Sequence, residues 1–159
     1  MADDQLRRQL AQLLDWEDAH VGFDGAITGI PDALRGAQPS GLPCSPWQLL
    51  EHIRLTQRDL LEFCEDPAYR ERHWPDDYWP QAPSPPSPEA WENSVAQVRR
   101  DRQALKALAT DPALDLLASI PHGSGQTYLR ELLLVADHTA YHVGQLVVVR
   151  RLLGSWDAA

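Results

Sequence analysis

The chain has 159 residues, 43% of them hydrophobic and 23% charged, the balance of a soluble globular protein and a length that fits one domain, residues 1–159, with a core that needs no disulfide. Acidic side chains outnumber basic ones 23 to 14, and the basic ones are scattered apart from short runs such as Arg99, Arg100 and Arg102, so no footprint for phosphate backbones is visible and nucleic acid is not expected as a partner. Met1-Ala2-Asp3-Asp4 has the wrong charge for a signal peptide and the longest apolar run, Leu132 to Ala136, is short, which predicts a cytoplasmic protein that does not span a membrane.

The first predicted helix starts at Asp3/Asp4 and runs towards Gly29, with Leu6, Leu10 and Leu13 at the spacing of a buried stripe. Continuing that stripe reaches Glu17, His20, Asp24 and Ile27. Either the buried face drifts to Trp16, Val21 and Phe23, or the second half of the helix lines a polar cavity. Residues 29–45 hold three prolines and three glycines and read as a loop. The second helix opens on Ser45 as N-cap, Pro46 at the first helical position and Gln48 three residues after the cap, and runs to about Glu65, where Asp66-Pro67 stops it. His52 lies beside Leu49 and Ile53 on its apolar side.

Residues 66–87 carry six of the thirteen prolines together with Trp74, Tyr78 and Trp79. A connection this long can run the length of a helical bundle and leave the second and third helices parallel. Its aromatics either fold over the end of the bundle as a lid or pin the loop to the surface. Ser87-Pro88 opens the third helix, with Trp91, Val95, Val98, Leu105 and Leu108 inward. Residues 111–119 are expected to form a short extra helix. Thr127 caps the fourth helix, which ends near Leu153 at the stop signal Gly154. The fold class is all-α, with four main helices.

The chemistry concentrates in "ADHTAYHVGQL", residues 136–146. Residues four apart on a helix stand about 6 Å apart, so His138 and His142 can aim ring nitrogens at one point. Burying two unpartnered imidazoles between apolar stretches would cost on the order of a few kcal/mol each, whereas a shared cation satisfies both. His52 supplies a third imidazole from another inward-facing helix, and three nitrogens with one position open is the arrangement of a catalytic rather than a structural metal site. Asp137 and Glu51, next to the histidines, are candidate hydrogen-bond acceptors for them. Because a ligand imidazole must be neutral, metal is expected to leave below about pH 6.

Other templates fit less well. Thr139 stands where a zincin has its glutamate. Only Glu17–His20 matches the Glu-x-x-His pairs of a di-iron bundle. His20, His73 and His122 read as surface, loop and turn residues. Cys44 and Cys64 lie roughly 27 Å apart along one helix and are expected to be reduced thiols. Ala136, Ala140 and Gly144 form a small-residue ridge opposite His138, suited either to a close neighbour within the chain or to a homodimer contact.

"PWQLLEHI" around His52 and "LLVADHTAYHVGQLVVVRRLLG" around His138 and His142 resemble the DinB-like superfamily, over nearly the whole chain from Leu10 to Trp156. The resemblance implies a four-helix bundle of up-down-down-up connectivity with a long crossover between the second and third helices, a homodimer, and a divalent metal, zinc or nickel, held by His52, His138 and His142. It also implies a small-molecule substrate and thiol-dependent S-transferase chemistry with a low-molecular-weight thiol as cosubstrate. A metal-dependent hydrolase, a non-catalytic metal-binding or stress-associated dimer, and a plain interaction domain without metal are the alternatives.

Overall fold

The computed structural model describes residues 2–156, and among them the chain is helical with no strand; Ser119 and Thr127 form an isolated bridge. The helices are α1 (Ala2–Leu13), α2 (Phe23–Ile27), α3 (Pro46–Glu65), α4 (Pro88–Thr110) and α5 (Tyr128–Leu152), with a 3-10 turn at Asp32–Leu34.

Local chemistry sets most of these boundaries. The Ser45 hydroxyl accepts from the Gln48 amide while the Gln48 side chain accepts from the Ser45 amide, a reciprocal cap on α3 with Pro46 at its first position. Ser87 caps α4 through the Ala90 amide and Thr127 caps α5 through the Arg130 amide. Beyond α5, Gly154 takes φ 69°, a left-handed turn that a side chain would oppose.

The first predicted helix is wrong in its second half. α1 stops at Leu13, residues 14–22 turn, and α2 restarts at Phe23. Leu10, Ala11 and Leu14 are buried while Leu6 is 45% exposed, so the stripe is shifted from the predicted one. Ion pairs to α4 account for the break. Asp15 pairs with Lys106 at 2.5 Å, and Asp24 on α2 pairs with Arg99 and Arg102 at 2.7 and 2.5 Å. Glu17 and His20 are exposed, so neither the drifting face nor a polar cavity describes this stretch in full; Phe23, Ala26 and Ile27 are the buried members. The extra helix at 111–119 is also absent, that segment consisting of turns in which Asp111 and Asp115 side chains accept from backbone amides two residues on.

α3 packs against α4 and α5, α1 against α4, and α2 against α5. Along α3 and α4 the partners advance together: the Trp47 ring lies 6.4 Å from Trp91, Gln57 donates to the Val98 carbonyl at 2.7 Å, and Arg58 meets Asp101 at 3.3 Å. Two apolar clusters result. One gathers α2, the first half of α3 and the end of α5 around Leu50, Ile53 and Leu146; the other gathers α1 and the opposite halves around Leu61, Leu105 and Leu132. On α5, Val135 belongs to one cluster and Val143 to the other, so His138 and His142 fall at the junction.

By length and composition α5 would also cross a membrane, which a count of uninterrupted apolar residues overlooks because single polar residues punctuate it. Three of its polar residues, Glu131, His142 and Arg150, are buried inside the protein, while Asp137 is exposed.

Candidate metal centre

His52 comes from α3 and His138 and His142 from successive turns of α5. Their rings meet: centroids are 4.8 Å apart for His52 and His138, 4.4 Å for His52 and His142, and 4.4 Å for His138 and His142. One donor nitrogen from each lies within 4.8 Å of the others, and Nε2 of His52 stands 3.0 Å from Nε2 of His138. Two nitrogens about 2.1 Å from a common ion and 90–110° apart would be separated by about 3.0–3.4 Å.

Hydrogen bonds fix which nitrogen is available. The Tyr78 carbonyl lies 2.9 Å from His52 Nδ1, so that nitrogen carries the proton and donates, leaving the Nε2 lone pair facing inward. Gln145 Oε1 does the same for His142 Nδ1 at 2.7 Å, and Gln145 is itself steadied by its amide donating to the Tyr141 hydroxyl at 3.3 Å. Two lone pairs are thereby directed at the cluster interior by outer partners, as metal-bound imidazoles require.

The aromatics of the 66–87 segment close over the cluster. Trp79 stacks on His52 at 3.8 Å with the planes 7° apart, and Trp74 approaches its edge at 6.3 Å. Trp79 also meets His142 edge-on at 5.9 Å. Neither reading of this loop holds in full: Trp79 covers the histidines at the junction of the two clusters rather than at the end of the bundle, and Trp74 is 64% exposed. His52 and His142 are buried and His138 is partly exposed.

Burial keeps all three imidazoles neutral. It is the main cause that pushes His52 down to about 4, against the Tyr78 bond acting upward, and His138 down to about 3, with the charges His142 and His52 would carry adding to it. His142 is lowered by the same burial, opposed by its bond to Gln145. Metal binding competes with protons for these same nitrogens, so where they titrate governs metal loss on acidification. A consequence for the metal-free protein has a definite sign. Between about pH 6.5 and 4 the unfolded chain binds protons on His52 and His138 that the folded chain does not, so unfolding takes up protons and stability falls as the pH falls, levelling off only below about 3. Thermal melts of metal-free protein across pH 4–7 should show this slope, and replacing His138 with Asn should flatten it.

Neither acceptor expected next to the histidines serves them. Glu51 is held by Arg54 at 2.8 and 2.7 Å, and Asp137 is exposed. Neighbours in sequence point about 100° apart on a helix, whereas Gln145 is three residues after His142 and lies on its face. The Tyr78 carbonyl had no sequence signal at all. His20 and His73 are exposed, and exposed His122 donates from Nε2 to the Phe63 carbonyl at 2.9 Å. Cys44 and Cys64 are free thiols, the second pushed up to about 12, chiefly by burial. At Gly144 an added Cβ would meet nothing within 4 Å, so no close neighbour within the chain explains that glycine.

Three converging imidazoles from two helices make a group with the geometry to hold a metal ion inside a helical protein. The family model of the DinB superfamily matches residues 4–146, and the chain belongs to that superfamily. No curated protein and no solved structure matches the chain.

Proposed function

We propose that this chain is a metal-dependent enzyme in which His52, His138 and His142 hold one divalent ion, zinc or nickel, and in which a low-molecular-weight thiol attacks a small electrophilic substrate. One observation carries this reading: the group comprises three histidines with no fourth His, Cys, Asp or Glu among the described residues, and a three-nitrogen set leaves a position for an exogenous ligand. An ion bound there would supply Lewis acidity, lowering the pKa of a thiol in its free position into the neutral range. The chain's own residues do the rest. Tyr78 and Gln145 hold the ring protons of His52 and His142 on Nδ1, so the ligand nitrogens stay fixed and unprotonated. Trp79 and Trp74 shield His52 on the loop side, which limits water and strengthens electrostatic interactions within.

The aligned α3 and α4 partners and the antiparallel ones of α1 and α4, Arg7 reaching the Asp111 carbonyl and Asp15 reaching Lys106, support an up-down-down-up bundle with residues 66–87 as the crossover. Tyr141, Val148 and Leu152, 64, 46 and 59% exposed on α5, support a homodimer through that helix.

The test is consumption of an electrophile by metal-loaded protein with and without thiol, using cysteine, glutathione, bacillithiol and mycothiol in turn. Activity that needs both thiol and metal is expected. A rate unchanged by chelation overturns the proposal, and turnover that needs metal but no thiol marks hydrolysis instead. Gln145→Leu is expected to weaken metal binding about 10- to 100-fold while leaving the three ligands in place, measured by competition with a chromogenic chelator.

A further inference from the structure

A polar pocket lies further along α3 and α5 from the histidines. Asp59 follows His52 by seven residues on α3 and Glu131 precedes His138 by seven on α5, so each sits about two turns, roughly 10 Å, from the histidines on the same helix face. Both line a cavity of about 540 Å³ together with Tyr69, Tyr78, His122 and Gln126.

The two carboxylates are in different states. Asp59, 6% exposed, is saturated: Oδ1 accepts from the Tyr69 hydroxyl at 3.0 Å, Oδ2 accepts from the Tyr78 hydroxyl at 2.7 Å, and Arg72 Nε lies 3.3 Å from Oδ1. Glu131 is 0% exposed and half satisfied. Its Oε1 accepts from Arg130 at 2.7 Å, while Oε2 is buried with no hydrogen-bond partner. A carboxylate oxygen in that state is costly until a donor reaches it, and a purely structural role would be met at lower cost by glutamine or an apolar residue. The nearby Cys64 stays a neutral thiol, since burial above all, and then the Glu131 and Glu65 carboxylates, oppose its ionisation. Asp59, Glu71, Glu131 and Arg130 stand on the wall, with Arg72 pairing Asp59, and the net charge of −9 adds a field that favours cations.

We propose that this pocket binds a small molecule through a primary ammonium group that donates to Glu131 Oε2. A single unpaired oxygen suits the compact ammonium donor, whereas a guanidinium fork is matched by two acceptors side by side. Tyr78 joins the two sites, its hydroxyl on Asp59 and its carbonyl on His52. The inference does not depend on what the histidines hold.

Thermal unfolding in n-butylammonium chloride, compared with sodium chloride at equal ionic strength, tests it. The wild type should gain about 3 °C or more at ten times the dissociation constant. Glu131→Gln should show no gain, while melting in sodium chloride at or above the wild-type temperature because the half-partnered charge is gone. An equal rise with n-butanol or magnesium chloride, no rise up to 50 mM probe, ten times a dissociation constant of about 5 mM, or a wild-type response from Glu131→Gln overturns the proposal. Titration of ¹⁵N-labelled wild type with the same probe needs no variant. Saturable shifts centred on Tyr78, Gln126 and Glu131 support the site, and shifts elsewhere or none overturn it.

Discussion

Untagged protein carrying His52→Ala is expected to leave purification with far less than one equivalent of divalent metal, against one per chain for the wild type. Zinc binding by a full ligand set is worth about 10–16 kcal/mol, so one ligand in four carries roughly 3 kcal/mol and its loss weakens binding about a hundredfold or more. The substitution also removes the ring on which Trp79 stacks and the imidazole 3.0 Å from His138. Inductively coupled plasma mass spectrometry gives the metal content, and far-UV circular dichroism checks that the helices persist. A one-to-one content that survives the substitution would leave His52 outside the coordination sphere and end the three-histidine reading.

Arg150→Ala should cost about 3 kcal/mol or more, lowering the melting temperature by roughly 6–12 °C in a chain of this size. Arg150 is 6% exposed, and its NH1 donates to the carbonyls of Ala26 and Thr28 at 2.7 and 2.9 Å, at the C-terminal end of α2. Its Nε and NH2 donate to the Ser155 carbonyl at 3.1 and 2.7 Å, and its plane lies 4.7 Å from the centre of the Trp156 ring. A positive group is favourable at a helix C-terminus, and α2 is a helix of only five residues, too short to persist without such support. Truncation takes this donor from the carbonyls of Ala26, which is buried, and of Thr28 and Ser155. Arg150→Lys keeps the charge but not the fork of donors and should recover less than half of the loss. Equal melting temperatures for wild type and Arg150→Ala would show that α2 is held by packing alone.

Helix boundaries were legible wherever a local device sets them. Ser45-Pro46-x-Gln48, Ser87-Pro88, Thr127 and Gly154 act within a few residues of themselves, so their effect can be read from the chain. The spacing of His138 and His142 was equally local, because helix geometry alone places residues four apart on one face. The position of His52 beside them depended on two helices meeting, and there the sequence offered only an inward face and the resemblance of its motif to a known family.

What tertiary structure decided has one physical reason in common: it depends on groups far apart in the chain. The break after Leu13 has no proline to announce it and is held by Asp15 on Lys106 and by Asp24 on Arg99 and Arg102. The acceptor on His52 is a backbone carbonyl 26 residues away, and every residue has such a carbonyl, so no residue type could have marked it. The half-satisfied Glu131 likewise reads as an ordinary glutamate in the first turn of a helix until the fold encloses it. Sequence alone determined that the chain is helical, where three of its helices begin and which imidazoles could act together. Only the packed chain determined how their protons are held and what covers them, because buried polar groups take whatever partner the fold brings within about 3 Å.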